Sequence, residues 1–167
     1  MNLDKKIEYI SNWINEYASS IQSQSISLVI GVSGGIDSAV TSTLCAKTGL
    51  NTIAISMPIK QNSSQHDLSL KHLHWLKSNF SNVKTRTIEL DEVFQSFENT
   101  MKDFKNNLAF ANSRSRLRMI TLYQIAQANK GIVVGTGNKV EDFGVGFYTK
   151  YGDGGVDISP IADCTKT

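Results

Sequence analysis

Ile26-Ser27-Leu28-Val29-Ile30-Gly31-Val32-Ser33-Gly34-Gly35-Ile36-Asp37-Ser38 decides the fold. A short unbroken apolar run reads as a strand buried on both faces, the pattern of a parallel sheet. Ser33-Gly34-Gly35 turns the chain out of that strand, and a helix is expected from about Asp37 to Lys47, stopped at Gly49. Glycine lets backbone amides approach a ligand closely and turn with positive φ. At a helix N-terminus those amides favour an anion, and the hydroxyls of Ser33 and Ser38 add donors. Asp37 does not suit a bare phosphate site, but it suits one in which Mg²⁺ sits between carboxylate and phosphate. The loop has neither the lysine of GxxxxGK[ST] nor the GxGxxG spacing. The plainer alternative is an Asp N-cap on a tight strand-to-helix turn.

Outward from this loop the chain alternates strands and helices. Ile7, Ile10, Trp13, Ile14 and Tyr17 mark an amphipathic helix over residues 3–18. Residues 52–57 read as a second strand ended by Pro58, and residues 65–79 as a helix with Leu68, Leu73, Trp75 and Leu76 toward the core. Residues 83–90 read as a third strand, then residues 91–104 as a helix with Val93, Phe94, Phe97, Met101 and Phe104 on one side. Asn106 and Asn107 mark a break before a long helix from about Asn112 to Asn129, and residues 131–136 form a fourth strand. This alternation predicts one α/β domain: a parallel, doubly wound, Rossmann-like sheet with helices on both faces. In such sheets ligands bind beyond the carboxyl ends of the strands, near the switch in strand order. Residues 144–155, rich in glycine, read as a structured loop.

The 167 residues suffice for one core, and 40% apolar against 19% charged residues is a globular composition. A net charge of +2 without a basic run gives no sign of nucleic-acid binding. No apolar run reaches the ~20 residues of a membrane span, and the N-terminus lacks a signal-peptide pattern, so a cytoplasmic protein is expected. Cys45 and Cys164 are far apart and expected to be reduced thiols. His72 and His74, two apart on a helix, point to different faces and argue with His66 against a zinc site.

The loop resembles the SGGxDS pyrophosphate loop of the ATP pyrophosphatase superfamily. A second signal narrows this. Gly135-Thr136-Gly137-Asn138-Lys139-Val140-Glu141 is followed by Gly146-Phe147-Tyr148-Thr149-Lys150-Tyr151-Gly152-Asp153-Gly154-Gly155-Val156-Asp157, and Arg114-Ser115-Arg116-Leu117-Arg118-Met119 lies upstream. Together these resemble the ammonia-dependent NAD synthetase family. The resemblance implies a ligase using ATP and Mg²⁺ to convert deamido-NAD and ammonia into NAD, AMP and pyrophosphate. It implies ATP contacts at Gly31, Val32, Ser33, Gly34, Gly35, Ile36, Asp37, Ser38, Thr136 and Lys166. It implies Mg²⁺ on Asp37 and Glu141, deamido-NAD contacts at Arg116, Lys150 and Asp157, and catalytic parts for Asp37, Glu141, Lys150 and Asp157. It further implies a homodimer, expected to use residues 106–118 and the helix that follows, where arginines and apolar residues mix without lysine.

Several features qualify the resemblance. Many family members carry an arginine before Leu-Pro that holds the adenine; here Ser56 takes its place, leaving Gln61 or Gln65 as weak substitutes. Arginines two apart do not share a helix face, so Arg114, Arg116 and Arg118 are expected to diverge. Asp153 could be only a turn former. Only about 26 residues precede the first strand, too few for a glutaminase domain, so free ammonia is the expected nitrogen donor. The family continues beyond Thr167, so the C-terminal part of the domain is expected to be missing. The alternatives are a GMP synthetase-like or tRNA-thiolating relative, and a nucleotide-binding module without turnover.

Overall fold

The structure, a computed structural model, describes residues 2–21, 26–145 and 148–166; Gly146 and Phe147 of the glycine-rich motif lie outside them. The elements are α1 (Leu3–Ile21), β1 (Ser27–Gly31), α2 (Ile36–Lys47), β2 (Thr52–Ser56), α3 (Ser63–Asn79), β3 (Val83–Thr87), α4 (Asp91–Thr100), α5 (Asn107–Ala128) and β4 (Gly131–Val134). A 3₁₀ turn spans Lys102–Phe104 and a π turn spans Glu141–Val145. All four strands are parallel, in the order β3-β2-β1-β4. The chain therefore starts in an inner strand, steps outward twice, then crosses back to the far side of β1. That reversal sets the carboxyl ends of β1 and β4 side by side, the place where such folds bind ligands.

Alternation along β1 divides the core. Leu28 and Ile30 pack with Ile14, Leu44, Leu73, Leu76 and Val134 on the α1–α3 face. Val29 points the other way, with Ile53, Ile55, Phe94, Phe110, Met119, Leu122 and Val133 under α4 and α5. Both faces are covered, which is why β1 and β2 read as continuous apolar runs.

Element ends differ from the sequence reading where side chains compete for the backbone. α5 begins at Asn107, five residues earlier than expected, because the Asn106 carboxamide accepts from the Ala109 amide and caps it. β3 stops at Thr87, and α4 stops at Thr100 with the 3₁₀ turn after Met101. That turn leaves Phe104 79% exposed, so of the expected apolar side of α4 only Phe94 is fully enclosed. Phe97 instead stacks on Phe94 and meets Phe110 edge-on. On α3, Leu73 and Leu76 enter the core, whereas Leu68 and Trp75 are exposed, contrary to expectation. Trp75 rests on the His72 ring at 5.6 Å.

Candidate active site

The loop after β1 is shaped by its own serines. Val32 still donates to the Ile55 carbonyl at 2.7 Å, so the ladder runs to the lip of the site. The Ser38 hydroxyl then accepts from the Ser33 amide at 3.2 Å and donates to the Gly35 carbonyl at 2.9 Å, while the Gly35 amide donates to the Ser33 hydroxyl. Gly34 holds φ +88°, and a Cβ there would drive into the Gln65 carbonyl of α3, so this position demands glycine twice over. α2 starts at Ile36 with no side-chain cap from Gly35. A helix begun without such a cap keeps first-turn donors available to an anion.

Asp37 lies in this first turn, and Lys166 Nζ sits 3.0 Å from its Oδ2. The same ammonium is 2.8 Å from Glu141 Oε1. Hydrogen bonds to Glu141 and then to Asp37, together with their charges, raise the Lys166 pKa. Glu141 arrives from the loop after β4, and β4 pairs with β1, so two strand ends deliver the pair. Asn138, 1% exposed, aims it: its side-chain oxygen accepts from the Val140 and Glu141 amides at 3.0 and 3.1 Å. Lys166 is brought in because the Lys139 amide donates to the Cys164 carbonyl at 2.9 Å. Thr136, half-buried, lies on the same loop between β4 and Asn138.

The glycine-rich motif docks on α5 a step away. Asp153 accepts from the Thr149 amide and from the Ser115 hydroxyl, the latter at 2.8 Å, and its own amide donates back to Ser115 at 2.9 Å. The Arg116 Nε donates to the Lys150 carbonyl at 3.1 Å, which leaves the rest of its exposed guanidinium unspent. Lys150 places its ammonium 5.0 Å above the Tyr151 ring. Asp153 is thus a turn staple.

Asp157 is committed to the fold. Its Oδ2 accepts from the Val133 amide at 2.7 Å and its Oδ1 from the Tyr123 hydroxyl at 3.1 Å. Burial, then the Asp157 charge, push the Tyr123 hydroxyl up to about 12.

The three arginines diverge as expected. Arg114 stacks 5.6 Å from the Phe94 ring centre, Arg116 turns to the motif, and Arg118 donates to the Met57 carbonyl at 3.0 Å. Burial, then Arg114, lower the Arg118 pKa against the pull of Asp91. Ser56 is buried and bonded to Ser69 at 2.8 Å, so it offers nothing to a ligand. Gln61 donates to the Ser33 carbonyl at 2.9 Å. Sequence reasoning missed Asn138 as the residue that aims Glu141, although an Asn just ahead of the turn that carries Glu141 is a capping signal. The contacts of Ser115, Arg118 and Tyr123 leave no local signal. Cys45 is wholly buried, which pushes its thiol up to about 12 and makes it inert. Among the described residues no three His, Cys, Asp or Glu side chains cluster to hold a metal.

A doubly wound α/β domain with an open helix N-terminus and two converging carboxylates at its strand switch defines a nucleotide-binding class. Residues 6–167 match the family model for NAD synthase, and the chain belongs to that family. It is 38% identical over 170 residues to the NH(3)-dependent NAD(+) synthetase of Mesoplasma florum, covering 99% of this chain and 66% of that protein. It is 44% identical over 140 residues to the synthetase of the same name from Saccharolobus solfataricus, covering 83% and 49%. Among solved structures it superposes on NMN synthetase from Francisella tularensis with TM-score 0.89 and 33% identity, covering 99% and 67%. The NH3-dependent NAD synthetase of Campylobacter jejuni, in complex with the nitrate ion, gives 0.87 and 31%, covering 99% and 69%. The chain thus spans about half to two-thirds of the length of these relatives.

Proposed function

We propose that the chain carries the ATP-binding part of an enzyme that joins ammonia to the nicotinate carboxylate of deamido-NAD, giving NAD, AMP and pyrophosphate. The convergence of Asp37 and Glu141 on one cation beside the N-terminus of α2 carries this reading. The donor set fits Mg²⁺, which takes one or two carboxylates and completes its shell with substrate phosphates. Bound there, it would neutralise charge developing on the leaving pyrophosphate.

Within residues 31–38 the amides of Gly34 and of the first turn of α2 cradle the phosphates while the Ser33 and Ser38 hydroxyls hold the loop in shape, Thr136 contacts ATP, and Lys166 follows the phosphate charge as a point cation. Arg116 and Lys150 face the anionic dinucleotide, and Asp157 reaches it only by giving up a fold contact. A carboxylate oxygen of nicotinate attacks the α-phosphorus, and the bond to the bridging oxygen breaks to release pyrophosphate. Ammonia attacks the resulting acyl carbon, AMP leaves with the oxygen it gained, and a proton is released. Positioning and charge stabilisation suffice, with no protein nucleophile.

A homodimer and a cytoplasmic location belong to the same proposal. Leu108 and Ile120 of α5 are 70% and 67% exposed, apolar side chains open to a second copy. Among the described residues no helix is long and apolar enough to cross a membrane.

The superposition on an NMN synthetase favours one second reading, in which the substrate is the deamido mononucleotide. Incubation with ATP, Mg²⁺, ammonium and either nicotinate nucleotide tests both, by chromatography of the amide and of the spent nucleotide. AMP with NAD supports the first reading and AMP with NMN the second. ADP as main product sinks both, and Mg·ATP binding without AMP leaves a nucleotide-binding module.

A further inference from the structure

We infer that Gln61 is a positioning residue that presets the pyrophosphate loop, an inference that rests on the ATP reading above. Gln61 lies in the connection from β2 to α3, and its carboxamide Nε2 donates to the Ser33 carbonyl at 2.9 Å. In a planar trans peptide, the carbonyl of one residue and the N–H of the next point in opposite directions. Holding the Ser33 carbonyl on the Gln61 side therefore turns the Gly34 N–H to the other side. Among the described residues that N–H donates to no protein acceptor. Gly34 sits at φ +88°, where the peptide flips more readily than at an ordinary residue, so an external tie has something to hold. A carbonyl swung toward a triphosphate would repel it; a pinned carbonyl leaves an amide for it.

A second observation points to Gln61 independently. Lys60, the residue before it, holds φ +47°, a left-handed conformation that side-chain-bearing residues rarely adopt. Two contacts from α4 hold it there. The Lys60 amide donates to Asp91 Oδ1 at 2.6 Å, and its ammonium pairs with Glu98. The strained residue re-aims the chain so that Gln61 reaches back to Ser33. Strain held by surrounding contacts is the mark of a position fixed for a purpose. The N–H given to Ser33 is one donor of the carboxamide that the sequence had offered to an adenine.

The test compares wild type, Gln61→Met, Gln61→Glu and Lys60→Gly by calorimetric titration with Mg·ATP, inorganic pyrophosphate and deamido-NAD, with a thermal melt for each. Methionine keeps the length and removes the donor; glutamate replaces a donor with a charge that repels both the carbonyl and the phosphates. Both should bind Mg·ATP and pyrophosphate about tenfold or more weakly, with deamido-NAD affinity and melting unchanged. Lys60→Gly accepts φ +47° without strain, keeps the amide contact to Asp91, and should bind Mg·ATP like wild type. Wild-type affinity for Mg·ATP in Gln61→Met overturns the inference, as does an equal loss for all three ligands with a lowered melt. Wild type that binds no Mg·ATP overturns the ATP reading together with it.

Discussion

Asp37, in the first turn of the helix after β1, and Glu141, beyond β4, hold the same lysine ammonium at 3.0 and 2.8 Å. Neighbouring strands bring them together beside the N-terminus of α2, which has no side-chain cap. Replacing Asp37 with Asn keeps the shape and removes the charge. AMP formation should fall by on the order of a hundredfold or more, with loss of stability of no more than about 1 kcal/mol, the usual value of an acidic residue near a helix N-terminus. Quantifying AMP in the presence of ATP, Mg²⁺, ammonium and deamido-NAD, with a urea melt alongside, checks both parts. Normal turnover in Asp37→Asn would remove the carboxylate pair from the chemistry.

Lys166 occupies the place a divalent ion would take, so it should compete with one. In Lys166→Met, without nucleotide, Mn²⁺ affinity should rise about thirtyfold, the effect of removing a unit charge ~4 Å from a divalent ion in water. The free Mn²⁺ signal in electron paramagnetic resonance reads this directly. The same variant should bind ATP more weakly, because the lysine no longer follows the phosphates. Equal Mn²⁺ binding by both proteins contradicts the competition.

Asp157 tells a fold contact from a substrate contact. Asp157→Ala strands the Val133 amide of β4 and the Tyr123 hydroxyl. The expected cost is about 1–3 kcal/mol in urea denaturation, chiefly from leaving the amide of the fully buried Val133 unpaired. If stability is untouched and only the KM for deamido-NAD rises, Asp157 acts on substrate alone.

His72 makes stability depend on pH. Burial lowers its pKa below the ordinary 6.5 in the folded state. The unfolded chain therefore takes up this proton at a higher pH than the folded one. Above about 6.5 neither form is protonated and the group is neutral to stability; as pH falls below it, protonation favours unfolding and stability drops. His72→Asn should flatten the fall in urea midpoint between about pH 7 and 5. An unchanged slope assigns the acid sensitivity elsewhere.

The exposed apolar side chains of α5 give an oligomeric expectation. Sedimentation at micromolar concentration should show a mass near twice 18.4 kDa, and Ile120→Asp should return it to a monomer, because a charge placed in an apolar contact loses its hydration. A wild-type monomer counts against the dimer.

Local signals carried much of this protein. The apolar run from Ile26, the glycines behind it and the alternation downstream were enough for a parallel α/β sheet, because strand burial and turn chemistry act over a few residues. The length and residue order of the glycine-rich motif were enough for the family. Where Asp37 meets Glu141 was decided only in three dimensions, since it depends on β4 returning to the side of β1. The same holds for Gln61 at Ser33, Asp157 on a backbone amide, and Trp75 and Phe104 outside the core. A side chain's partner across tens of residues is set by which strands are neighbours and which surfaces they cover, and spacing along the chain holds no record of either.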